Sequence, residues 1–203
     1  MDYEHLIRQC ALRNITLEIL PTASDAKARV MALIADRQTV STGGSTTLHQ
    51  WGIVEALRQR NITFYDRFVP GLAGEALLAV FRQALTADVY VSGINAITAD
   101  GDLMVIDKVG NRAAALMFGP KKVIVVAGKN KLVKDIESGR HRIKTVACPQ
   151  NARRLGLSTP CAVTGDCAEC RSPQRMCYDE IVIRGQSDPS RMTVLLVEED
   201  GGF

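Results

Sequence analysis

Three groups of residues have the types and spacing to do chemistry. The first is the turn Gly43-Gly44-Ser45-Thr46-Thr47. Two glycines let a backbone come close to a ligand, and Ser45 and Thr46 supply hydroxyls beside it. A helix starting there would offer unpaired N–H groups and a partial positive charge to an anion. The string matches neither the P-loop nor the dinucleotide fingerprint. A tight strand-to-helix connection with a hydroxyl cap is the alternative reading.

The second group is Gly93, Asn95, Asp107, Lys108, Asn111 and Arg112, joined by Gly128, Lys129, Asn130 and Lys131 from the following loop. Arg112 has the planar fork to hold a carboxylate or phosphate through paired hydrogen bonds. Asp107 would orient Arg112 or act as a base, so these two are the catalytic candidates. Against this stands solvent exposure for each charge and a turn or cap for each asparagine. His5, His49 and His141 are scattered, so no Ser/His or Cys/His arrangement is visible. His49 alone falls near the glycine turn.

The third group is Cys161, Cys167, Cys170 and Cys177 in CAVTGDCAECRSPQRMC, with five, two and six intervening residues. A CxxC pair is the usual bite for one metal, but structural zinc sites normally have two such pairs. Four-thiolate iron–sulfur ligation tolerates irregular spacing better, although this spacing is neither common ferredoxin pattern. Arg153, Arg154, Arg171 and Arg175 would offset thiolate charge. An iron–sulfur cluster, zinc and an unmetallated set all remain open. Cys10 falls on an apolar helix face and reads as core, and Cys148 precedes Pro149.

The elements that must position these groups alternate strand and helix. The pattern predicts a helix over 2–13 with Tyr3, Leu6, Ile7 and Cys10 on one face, then a strand at Thr16–Leu20. A helix over 24–36 capped by Thr22 or Ser24 follows, then a strand at Thr39–Thr42 and the glycine turn. One helix burying Leu48, Trp51, Val54 and Leu57 comes next, then a strand at Ile62–Tyr65 and a helix over 74–86. Val89–Ser92 and KVIVVA at 122–127 are apolar runs that fit strands covered on both faces. Between them, Asp100-Gly101 signals a hairpin with a returning strand at Leu103–Ile106, and 111–118 is helical up to Gly119-Pro120. Asn130 would cap a further helix weakened by Gly139 and divided from the next at Pro149. Glu180–Arg184 and Thr193–Val197 read as late strands suited to antiparallel pairing at a sheet edge. Strands alternating with helices point to an α/β fold with a mostly parallel sheet, a local hairpin and a cysteine-rich loop. In such sheets ligands bind beyond the strand ends.

Bulk composition narrows the function. A length of 203 residues with 46% hydrophobic content suits one domain with a real core. The net charge of +3 is too mild for dedicated nucleic-acid binding, and 5% aromatics leaves little for base stacking. No signal peptide or membrane span is visible, so a cytoplasmic protein with reduced thiols is expected.

The strings VSGINAITADGDLMVIDKVGNRAAALMFGPKKVIVVAGKNKLV, PQNARRLGLSTPCAVTGDCAECRSPQRMC and VLLVEEDGGF resemble the LUD-domain family of lactate utilisation proteins, and STGGSTTL resembles its glycine turn. The resemblance implies a LUD-like domain over residues 1–203 with a cysteine segment at 158–178. It implies a Rossmann-like three-layer sandwich similar to the sugar-isomerase and coenzyme A transferase group. By position, Gly43, Gly44, Ser45, Gly93, Asn95, Asp107, Gly110, Asn111, Arg112, Gly128, Asn130 and the four late cysteines match the pattern. The family usually has an aliphatic residue where this chain has Cys148, which argues against a ligand role there. Glu198, Glu199 and Asp200 fall in the family's C-terminal string, with a frayed acidic tail as the alternative.

The expected function is binding of a small carboxylate or phosphate in the oxidation of L-lactate to pyruvate or related organic-acid metabolism. One alternative is an electron-transfer or assembly subunit holding an iron–sulfur cluster or zinc and docking iron–sulfur redox partner proteins. Another is a sugar-phosphate isomerase or coenzyme A transferase-like enzyme. The sequence leaves the oligomeric state open, a homodimer included.

Overall fold

A computed structural model describes residues 2–203. The chain opens with helix α1 (Tyr3–Leu12), capped by the Asp2 side chain, then strand β1 (Ile15–Leu20). Helix α2 (Ala23–Leu33) starts with a capping box in which Thr22 and Asp25 satisfy each other's backbone N–H groups. Strand β2 (Thr39–Thr42) leads through the glycine turn to α3 (Thr46–Gln50) and α4 (Ile53–Arg58). The single helix expected here is broken at Gly52, whose φ of 64° no helix accommodates. Leu48, Trp51, Val54 and Leu57 are nevertheless all buried. On α1, by contrast, Leu6 and Cys10 are buried but Ile7 is exposed.

Strand β3 (Thr63–Tyr65) and α5 (Gly74–Ala84) precede β4 (Val89–Ser92). The Asp100-Gly101 hairpin joins β5 (Ala96–Thr98) to β6 (Leu103–Asp107), and α6 (Asn111–Met117) follows. Strand β7 (Lys122–Gly128) runs into a 3₁₀ turn (Lys129–Lys131) and the short β8 (Leu132–Val133). The next helix, α7 (Ile136–Arg142), is capped by Asp135, so Asn130 is not the cap that its position suggested. A π turn (Ile143–Ala147) then carries the chain into α8 (Cys148–Arg154) without the division expected at Pro149. Pro149 falls in the first turn of α8, a position where proline is tolerated. The chain closes with α9 (Pro160–Thr164), β9 (Asp179–Ile183) and β10 (Met192–Val197).

Six strands make a wholly parallel sheet in the order β1-β10-β7-β4-β2-β3. The expectation of antiparallel edge pairing is therefore corrected for β10 and met by β9, which pairs antiparallel with β6 at a sheet edge. Strand β10 lies inside the sheet between β1 and β7, and β9 pairs with β6 in a second sheet ordered β8-β5-β6-β9. An apolar strand with both faces covered gains most at the centre, where β10 buries Val194, Leu195, Leu196 and Val197 completely.

Alternate residues of the central strands feed two cores. Val123, Val125, Met192 and Leu196 pack with Leu6, Leu103 and Leu116 on one face. Ile124, Val126, Leu195 and Val197 pack with Val30, Leu48 and Val54 on the other. A third, smaller core of Met104, Ile106, Ile143, Cys148 and Met176 joins the second sheet to the π turn and α8. The result is a Rossmann-like three-layer α/β architecture.

The topology also fixes where a crevice opens. From β2 the chain continues to β3 on one side, and from β4 it proceeds to β7 on the other. Neighbouring strands with connections leaving in opposite directions splay their loops apart, and ligands settle in the gap. The loops that splay are those of Gly43–Thr47 and Gly93–Asn95.

Candidate functional site

A cavity of about 570 Å³ occupies that crevice. Gly44, Ser45 and Thr46 line it from the end of β2, and Gly93 and Asn95 from the end of β4. Asp107, Asn111 and Arg112 come from the end of β6 and the start of α6, and Lys131 from the loop after β7. With Thr47 and Lys108, eleven residues of the first two groups thus share one cavity. Gly43, Gly128, Lys129 and Asn130 do not line it. Gly43 lies behind it, where a Cβ would stand 2.6 Å from Ser92 Oγ and 3.1 Å from the Tyr90 hydroxyl. Gly128 lets the final segment pass, since a Cβ there would meet the Gly201 N at 2.5 Å. Asn130 holds that segment, donating to Gly202 O at 3.0 Å and accepting from Gly201 N at 3.1 Å. The stretch 198–203 is therefore a tethered strap, and Phe203 reaches the cavity wall.

Arg112 is the most constrained side chain of the site. Its Nε donates to Asp107 Oδ1 at 3.0 Å. Its Nη2 donates to Asn95 Oδ1 at 3.0 Å and to Ile106 O at 2.8 Å, and its Nη1 to Gly93 O at 3.5 Å. Four of the roughly five N–H donors of a guanidinium are thus used inside the protein. Asp107 also accepts from Ala113 N at 2.8 Å, so it anchors both Arg112 and the start of α6. Asp107 is thus held between the Arg112 guanidinium and the α6 backbone. Arg112 ties together the ends of β4 and β6 and has little left for a bidentate ligand.

The open positive charge lies elsewhere. Lys131 is 2% exposed, and its Nζ donates to Thr47 Oγ1 at 2.8 Å. Among the described residues no carboxylate pairs with it. Burial, reinforced by the charges of Arg142 and Arg112, pulls its amine down to about 7. Arg67 was not foreseen at all. Its guanidinium stacks on Phe81 at 4.5 Å and Phe68 at 5.5 Å, beside Gly44. Asn111, with its amide oxygen turned toward the guanidinium, accepts from Arg67 Nη1 at 3.2 Å. Burial pulls Arg67 below its ordinary range too, although an arginine stays charged.

Five basic side chains face the cavity (Arg67, Lys108, Arg112, Lys131 and Arg154) against one acid, Asp107, which Arg112 already neutralises. The helix after the glycine turn is only five residues long, and Ser45 Oγ takes the Leu48 N–H at 3.4 Å. Its dipole adds little, so the cations dominate the field. The opposite wall is apolar, built from Leu77, Leu78 and Phe81 of α5. The amphipathic face of α5 thus covers the cavity, which explains why Leu78 and Phe81 are only half-buried, while Leu85 beyond the helix packs against the first core. Nothing in the sequence around Arg67 marked it, because an arginine in an irregular loop reads as solvated. His49 is outside the cavity, edge-on to Phe68 at 4.2 Å.

The four late cysteines line a second cavity of about 380 Å³, together with Cys148. Cys148 and Cys177 share a side-chain hydrogen bond, which holds Cys177 down at about 6 and pushes Cys148 well up. Arg175 lines this cavity, while Arg154 lines the first and Arg153 is engaged with Ala162 O at 2.7 Å. Among the described residues, no three His, Cys, Asp or Glu side chains converge closely enough to hold a single metal ion. No helix is long and apolar enough to cross a membrane.

The chain matches the LUD domain over residues 3–197. A search of curated proteins returned no match. Among solved structures it is similar to a DUF162 family protein from Deinococcus radiodurans, with a TM-score of 0.54 and 15% identity, covering 96% of this chain and 95% of that one. It is more distantly similar to eIF2B beta from Chaetomium thermophilum, with a TM-score of 0.39 and 16% identity over 56% of this chain and 43% of that one.

Proposed function

The chain belongs to the LUD domain family, and on that footing we propose that it binds a small organic anion, a 2-hydroxy or 2-oxo carboxylate, in lactate or related organic-acid metabolism. The observation that carries this reading is the buried Lys131 amine without a carboxylate partner, in a cavity where basic groups outnumber acidic ones. Removing an amine from water is costly unless something negative compensates it. A ligand carboxylate between Lys131 and Arg67 would supply that compensation. The apolar wall of Leu77, Leu78 and Phe81 suits the short carbon skeleton of such an acid. The volume also allows a larger anion, so the test must compare sizes.

A thermal-shift panel of lactate, pyruvate, sugar phosphates and coenzyme A tests the reading. Any ligand that binds only the folded state raises the melting temperature with concentration. Small carboxylates are expected to stabilise the wild type and to leave Lys131→Met unmoved. The absence of stabilisation by any anion would overturn the proposal. Stabilisation by coenzyme A or a sugar phosphate alone would replace the ligand class.

A further inference from the structure

The second cavity has no part in the anion reading and carries an inference of its own. Five of the six cysteines of the chain line it, although Cys148, Cys161 and Cys177 come from separate stretches. The sixth, Cys10, packs in the core against Gly101. Every one of the six is a free thiol. We propose that this cavity holds an iron–sulfur cluster ligated by Cys161, Cys167, Cys170 and Cys177, with Cys148 lying beneath it as a neighbour rather than a ligand.

Three further observations support this. First, Cys161, Cys167, Cys170 and Cys177 all line one cavity of about 380 Å³, which has room for a polynuclear core. Tetrahedral zinc draws its sulfurs to about 2.3 Å from one centre. A polynuclear cluster puts its thiolates on different irons around an inorganic core, so they stand farther apart. Second, Arg175 lines the same cavity, donating to Cys170 O and Cys177 O, where it would offset the negative charge of thiolates and sulfide, while Arg140 and Lys144 there are already paired with Glu180 and Glu169. Third, residues 166–178 contain neither helix nor strand. Their backbone-to-backbone bonds are Arg175 N to Ser172 O at 3.0 Å and Tyr178 N to Asp107 O at 2.9 Å, and their other backbone bonds are local ones to the side chains of Thr164, Cys167, Ser172 and Arg175. A long segment without secondary structure inside a packed unit is uncommon unless it serves a function. Cluster ligation would cross-link it, since metal binding free energy is also folding free energy. Cys148 differs from the other four in being 5% exposed and part of the apolar core under the cavity.

The test uses the full chain, purified without oxygen and reconstituted with ferrous iron and sulfide. Iron, acid-labile sulfide and zinc are measured by elemental analysis, with visible absorption and electron paramagnetic resonance after reduction. Brown protein carrying iron and sulfide in equal amounts is expected. Cys167→Ser/Cys170→Ser should lose both while keeping its circular dichroism, and Cys148→Ala should keep both. A colourless protein without sulfide, empty or holding zinc alone, would overturn the cluster, and this measurement needs no variant to fold. Retention of iron and sulfide by the double variant would overturn it as well. Loss of iron from a folded Cys148→Ala would overturn the choice of ligands.

Discussion

A buried amine facing a positive pocket has consequences at the scale of single residues. Lys131 titrates at about 7 in the folded chain, against about 10.4 for a free lysine. Between those values the unfolded chain holds a proton that the folded one has released. Stability of the ligand-free protein should therefore rise with pH through this window, and the full penalty of the buried charge should be felt below about 7. Denaturant melts from pH 6 to 10 would show it. An anion has the opposite preference, because it needs the amine charged. Its affinity should fall by up to roughly tenfold per pH unit above 7, with proton uptake on binding, which calorimetry in buffers of different ionisation enthalpy measures. Lys131→Met removes the penalty together with the ligand contact. It should stabilise the ligand-free protein by about 1–4 kcal/mol, as replacing buried charge by apolar volume often does. Residue type and spacing pointed to Lys131, Arg112 and Asn95, because charged and amide groups clustered after apolar runs belong at strand ends. The division of labour among them was not legible. That Arg112 is used up internally and Arg67 is not depends on side-chain geometry across loops about forty residues apart.

Among the elements, Gly139 is instructive. The sequence marks it as a weak point of α7, worth about 1 kcal/mol of lost helix propensity relative to alanine. In the fold it is buried against β6, where a Cβ would collide with the Met104 sulfur. Overpacking of this kind costs about 1–3 kcal/mol, so it outweighs the propensity gain. Gly139→Ala is therefore expected to lower stability in urea melts, contrary to the helix-propensity argument. Strand existence and helix faces were largely readable from periodicity, as Val89–Ser92 and Lys122–Gly128 show. Continuity from α7 to α8 was not, because a π turn leaves no signature distinct from a helix interrupted by proline. The place of β10 was equally hidden. An all-apolar run says that both faces are covered, but not between which neighbours.

Across the whole molecule, the segment after β10 closes the site from the far end of the chain. Gly201 packs on the Trp51 ring and accepts from Thr47 Oγ1 at 3.0 Å, and Gly202 N donates to Gln50 Oε1 at 2.9 Å. Thr47 is also the partner of Lys131, so strap and cavity share a hydroxyl. Asn130→Ala should cost about 1–3 kcal/mol through its two lost bonds. It should also speed amide exchange across 198–203 and weaken anion binding, which exchange mass spectrometry and the thermal-shift panel would register together. The acidic end, for which fraying was the alternative reading, is held in place by these bonds, since Glu199 O also accepts from Lys129 N at 3.1 Å. The position of β10 reaches further still. Strand β1 has no partner in the sheet except β10. Chains leave the ribosome from the N-terminus onward. Ile15–Leu20 thus has nothing to pair with until residue 197 has been translated, and a nascent polypeptide carries an uncompleted greasy seam while every intervening strand is made.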